Sequence, residues 1–181
     1  MVRGLFSPGE VEAIAQAFDA IEREALDQGR SFRHGNLLYR LGPDPKLGRI
    51  IRMAQWPAWR NELLARVRLD PRFAALLRPL IGDDLKQIIN QMHWKTPGAE
   101  RVDFAYHQDC RFRRPAEAFR DLAASYVQTG LAIDPHTVQS GAMRVLPGSH
   151  LLGDLDLGEE GPILAQTMRD SALLKAGLDP A

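Results

Sequence analysis

Residues 85–109, LKQIINQMHWKTPGAERVDFAYHQD, decide the fold class. In them Ile88, Asn90, Met92 and Trp94 alternate with Ile89, Gln91, His93 and Lys95, the two-residue period of a strand whose second face is mostly polar. Thr96-Pro97-Gly98 turns the chain, and residues 101–109 read as the next strand, ending in His107-Gln108-Asp109. On an extended backbone residues i and i+2 share a face, so one imidazole and one carboxylate reach a common point while Gln108 turns away. These are two of the three groups in the two-histidine, one-carboxylate arrangement that holds non-haem Fe(II). A histidine bonded to a nearby carboxylate is also a common structural pair, and the triplet alone leaves both readings open.

Upstream, the signals are helical. Ser7, Pro8 and Glu10 supply an N-cap, a first helical residue and a capping-box acid. They open an apolar stripe at Val11, Ile14, Phe18, Ile21 and Ala25 that predicts an amphipathic helix closing near Gly29. Leu37-Leu38-Tyr39 reads as a short strand before a turn at Gly42-Pro43-Asp44-Pro45. Residues 56–67 read as helix, and Asp70-Pro71 caps another that carries Phe73, Leu76, Leu77 and Leu80 and ends at Gly82. Downstream, Val127, Thr129, Leu131 and Ile133 alternate with Tyr126, Gln128, Gly130 and Ala132, and 142–146 reads as a last short strand leading into Pro147-Gly148. Helices over about 7–82 followed by strands over about 85–181 predict a mainly β sandwich or barrel with an N-terminal helical layer, in a single domain.

Composition sets limits on function. With 45% hydrophobic and 25% charged residues the 181-residue chain is an ordinary globular one. Its 23 basic and 23 acidic side chains cancel, so no global field draws it onto nucleic acid or an anionic membrane. The expected partner is a small-molecule substrate. Cys110 is the only cysteine, which excludes an intrachain disulfide and suits a reducing compartment. The first residues do not form the apolar core of a signal peptide and no apolar run approaches the length of a membrane span, so the expected location is the cytoplasm. Cys110 reads as a small buried hydrophobe, Arg111, Arg113 and Arg114 as a solvated basic loop, and His34 and His136 as loop residues facing solvent.

The ordered set Lys95-Thr96-Pro97, His107-Gln108-Asp109, 131–135 (LAIDP) and 140–150 (SGAMRVLPGSH) resembles the phytanoyl-CoA dioxygenase family, over roughly residues 5–152. The helix ending Arg78-Pro79-Leu80-Ile81-Gly82 also sits where that family has one. The resemblance implies a double-stranded β-helix, or jelly-roll, core that uses Fe(II), 2-oxoglutarate and dioxygen to hydroxylate small or lipid-like substrates, with ascorbate as a supporting reductant. It makes His107 and Asp109 metal ligands and catalytic residues, and Lys95 a contact to the 2-oxoglutarate carboxylate, a charge-assisted bond of the stronger kind. Gln91 and Gln128 face the same expected cavity by strand parity and are candidate co-substrate contacts.

The family's second histidine and its 2-oxoglutarate arginine belong to a His-Gly-Ser-like stretch downstream of the Gly-Ser-His turn. None of the 31 residues after His150 is a histidine, and Arg169 is the only arginine among them, with no matching motif around it. Residues 173–177 (LLKAG) look like the family segment just before that stretch. The expectation is a jelly roll that is incomplete, holds its metal and co-substrate weakly, and exposes strand edges through which copies could associate. Two rival readings follow: a catalytically inactive relic or interaction module that keeps the fold, and a cupin-like metal-binding protein using His107, Asp109 and His150.

Overall fold

The computed structural model describes residues 1–100, 104, 106–109, 121, 125–153 and 170–179. Helix α1 spans Pro8–Gln28. Its start is the expected capping box: the Ser7 hydroxyl accepts from the Glu10 amide while the Glu10 carboxylate accepts from the Ser7 amide. Gly29 ends it in the left-handed region at φ 63°, which a residue without Cβ adopts freely. Ile14, Ala17, Ile21 and Ala25 form its buried stripe.

Strands β1 (Phe32–His34), β2 (Leu37–Asp44), β3 (Gly48–Gln55) and β4 (Gln91–His93) make one antiparallel sheet in the order β1-β2-β3-β4. The expected turn at 42–45 is instead the end of β2, and the chain reverses one step later. The cause is Asp44, whose carboxylate accepts from the amides of Lys46 and Leu47, both at 3.0 Å, and so closes the hairpin beyond Pro45. Pro43 is tolerated inside β2 because β1 pairs only as far as Tyr39, leaving no strand neighbour on that side. His34, expected in a loop, ends β1.

Helix α2 runs Glu62–Arg68 and α3 Pro71–Ile81. The expected helix from Trp56 is divided: Pro57–Trp59 forms a 3-10 turn, and Asn61 begins again as N-cap, its side chain accepting from the Leu64 amide at 3.1 Å. Asp70 caps α3 and Gly82 ends it, as the sequence predicts.

One main core joins these elements. Phe6 and the buried stripe of α1 meet Leu37, Tyr39, Ile51 and Ala54 of the sheet, with Ala58 and Leu64 at the side. Each large aliphatic side chain buried this fully contributes about 1.5–3 kcal/mol relative to exposure. Trp94 enters the same core and sets its ring edge-on to Phe18 at 5.9 Å. Arg72 pins the N-terminus to α3: its guanidinium donates to Glu10, Asp70 and the Leu5 carbonyl, and lies 4.0 Å over the Phe6 ring. These Arg72 bonds hold the Glu10 and Asp70 carboxyls down at about 2.

A second, smaller core holds Leu173 and Leu178 against Tyr106, Leu146 and Ala176. Leu173 belongs to helix α4, Asp170–Lys175, whose end is closed by Gly177 at φ 76° and by the Leu178 amide donating to the Leu173 carbonyl at 2.9 Å.

The β half differs from expectation. β4 is three residues long rather than eight, although Trp94 N donates to Arg52 O at 3.2 Å just beyond it. The described positions 104 and 106–109, and the expected strands at 127–133 and 142–146, are in no strand; the described residues carry a four-stranded antiparallel sheet and helices, which do not by themselves make up the expected jelly roll. Alternation at 127–133 has another origin: Leu131 and Ile133 pack half-buried on the main core without a ladder partner. Cys110, the basic stretch 111–114 and the start of the expected strand at 101–103 lie outside the described residues. No helix among the described residues is long and apolar enough to cross a membrane.

Candidate metal centre

The site is built on the segment that follows β4. Its approach is fixed by a buried ion pair: Asp44 is only 4% exposed and accepts from the Glu100 amide at 2.7 Å, while Arg52 donates to the Glu100 carbonyl at 3.1 Å and to the Pro43 carbonyl at 2.8 Å. Burial by itself would raise the Asp44 carboxyl. The three amides of Glu100, Leu47 and Lys46, with Arg52, outweigh that and hold it below its ordinary value. The turn leading to the His-Gln-Asp triplet is thereby tied to the β2–β3 hairpin.

His107 and Asp109 do stand side by side. Nε2 of His107 lies 3.4 Å from Oδ1 of Asp109, and each side chain keeps 27% of its exposure. The separation is wider than the ~2.7–2.9 Å of a charge-assisted hydrogen bond. The donor set, one imidazole and one carboxylate, fits a divalent first-row metal. The neighbouring Gln108 amide turns elsewhere, donating to the Gly153 carbonyl at 2.8 Å.

His93, on β4, is the residue beside this pair that the sequence did not single out. Its ring meets Phe104 edge-on at 4.9 Å. Burial lowers its pKa, the charge of Asp109 works against that and His107 works with it, so the imidazole favours its neutral form. The signal was present, since parity puts His93 on one face with Gln91 and Lys95. Lys95 itself donates to the carbonyl of Gly141. Arg144 lies 5.8 Å over the ring of Tyr106, joining the 140–150 stretch to the same segment.

A model of the family described as phytanoyl-CoA dioxygenase matches residues 1–177. This chain belongs to the phytanoyl-CoA dioxygenase family. A dioxygenase named lolE1 from Epichloe uncinata is 29% identical over 105 residues, which are 58% of this chain and 38% of that protein. The chain thus matches less than half the length of that relative. No solved structure matches it. Family and relative together support a dioxygenase-type function.

In this phytanoyl-CoA dioxygenase family member the expected site residues separate into two groups. His107 stands beside Asp109, and Lys95 bonds to Gly141 of the 140–150 stretch, whose Arg144 lies over Tyr106. Gln91 is exposed on β4 opposite Gln55, and Gln128 is exposed outside any strand; among the described residues neither bonds to the pair or to Lys95. Strand parity fails for Gln128 because its segment makes no ladder. His150 is exposed in a 3-10 turn, Ser149–Leu152. No three His, Cys, Asp or Glu side chains among the described residues are grouped so as to hold a metal ion. In the cupin-like reading His150 would join His107 and Asp109; among the described residues it is not grouped with them.

Proposed function

We propose that the protein is a non-haem Fe(II)- and 2-oxoglutarate-dependent dioxygenase that hydroxylates a small or lipid-like substrate in the cytoplasm, on a jelly-roll core of the family type. The observation that supports it most is the 3.4 Å pair of His107 and Asp109 within the stretch matched by the family. In this reading His107 Nε2 and Asp109 Oδ1 would be metal ligands, and Lys95 would present an ammonium to the co-substrate carboxylate. Iron with 2-oxoglutarate and dioxygen supplies the oxidising chemistry when bound, and the protein contributes orientation and exclusion of water. His93, neutral beside the pair, adds no charge that would repel the cation.

The test is an anaerobic Co(II) or Fe(II) titration of the wild type, His107→Ala and Asp109→Ala, followed by succinate release from 2-oxoglutarate in air. Each substitution is expected to weaken metal binding at least about tenfold, removal of a direct ligand exceeding the 10- to 100-fold range seen for outer partners, and to abolish succinate release. Variants that bind metal as the wild type does would remove the reading.

A second reading is a non-catalytic module that keeps the family fold. Metal binding by the wild type with no succinate above background would select it.

A further inference from the structure

The contact between Lys95 and Gly141 joins two parts of the chain 46 residues apart. Gly141 lies at φ +72°, and a Cβ built there would stand 2.9 Å from Lys95 Nζ and 3.4 Å from Cδ. A side chain there would be strained by the positive φ and would push the flexible tip of Lys95 away from the Gly141 carbonyl. Its carbonyl is not free to drift. The turn that carries it is closed by Gly141 N to Val138 O at 3.2 Å and Ala142 N to Thr137 O at 2.9 Å. Ser140 braces the turn from inside: its hydroxyl donates to the Pro135 carbonyl at 2.8 Å and accepts from the Thr137 amide at 2.8 Å.

We infer that Gly141 is a positioning residue: its carbonyl holds the Lys95 ammonium aimed for the carboxylate of a 2-oxo acid co-substrate, and its missing side chain is what lets the lysine reach it. This rests on the proposed function for the identity of the ligand. An ammonium has three donors, so one bond to Gly141 leaves two for a carboxylate. A lysine on four rotatable carbons otherwise loses its rotamer freedom when the anion binds. Anchored beforehand, it loses less at that step.

The experiment has two readouts. Acylation of lysine amines by a water-soluble acetylating reagent, followed by peptide mass spectrometry, compares Lys95 with Lys86, both exposed; anaerobic calorimetry of the Fe(II)-loaded protein measures 2-oxoglutarate affinity. The wild type is expected to acylate Lys95 more slowly than Lys86. Gly141→Ala should bring the two rates together and weaken 2-oxoglutarate binding by about twofold to tenfold, the range for ordering one long side chain. Ser140→Ala, which loosens the turn without backbone strain, should move both readouts the same way and serves if Gly141→Ala does not fold. Lys95 reacting as fast as Lys86 in the wild type, or released in the variants with 2-oxoglutarate affinity unchanged, would overturn the inference. Slow acylation in a wild type that binds no 2-oxoglutarate would instead sink the proposed function, and this role with it.

Discussion

Replacing Leu173 with alanine separates the two cores of this protein. Leu173 is 1% exposed, and among the described residues its partners are Leu178 and the partly buried Tyr106, Leu146 and Ala176. The substitution removes three carbons, worth about 2.4 kcal/mol at about 0.8 kcal/mol per buried methylene. A cavity term of about 24 cal/mol per Å³ adds to this where the surroundings cannot collapse. Here most of the neighbours are partly exposed and free to close in, so the loss should stay near about 2–3 kcal/mol, at the low end for such changes. It should also be local. The main core contains neither Leu173 nor Tyr106, so opening of the small cluster is expected to precede global unfolding. Amide exchange is the assay: the Leu178 amide, bonded to the Leu173 carbonyl, should lose protection by that amount, while the Ile51 amide in β3 keeps its own. Because Tyr106 precedes His107, the variant should also bind Co(II) less tightly. Equal loss of protection at Leu178 and Ile51 would show one cooperative core and refute the reasoning, as would unchanged metal affinity with Leu178 fully exchanged.

Three other outcomes follow from the same contacts. Arg72 lowers the Glu10 and Asp70 carboxyls to about 2 in the folded chain from ordinary values of 4.5 and 3.8; a depressed folded pKa stabilises fully above the ordinary value and is lost as pH falls toward 2, so acid titration of wild-type stability should be steeper over that window than that of Arg72→Met. Ser7→Ala removes the N-cap of α1 and should cost about 1 kcal/mol by urea denaturation, whereas no change would mean that Glu10 and Pro8 suffice to start the helix. Asp44→Asn takes the carboxylate away from the Glu100 amide and from Arg52, so the Glu100 amide should exchange faster and metal binding at His107 should weaken; an unaltered Glu100 exchange rate would deny the hairpin any part in holding the site.

The helical half was legible because its signals are local. Ser7, Glu10, Gly29, Asp70 and Gly82 act on backbone groups within a few residues, and the stripe from Val11 to Ala25 needs only the helical period to be recognised. β3 escaped notice for the opposite reason. Ile50 and Ile51 are buried in succession, and the ladder with β2 shifts register between Arg40 and Leu41, so strict alternation is absent from the chain. The adjacency of His107 and Asp109 was a short-range consequence of their spacing, and it held although their segment forms no strand.

What lay beyond the sequence was every pairing over long distance: Asp44 with Glu100, Lys95 with Gly141, Gln108 with Gly153, His93 with Phe104, and Leu173 with Tyr106. Sequence order alone determined caps, helix faces, the charge balance and the donor types of the His107–Asp109 pair, because each depends on neighbours a few bonds apart. The folded chain decided which donors meet, which lysine bond is made and which glycine is required, because those contacts exist only after segments distant in sequence have been packed together.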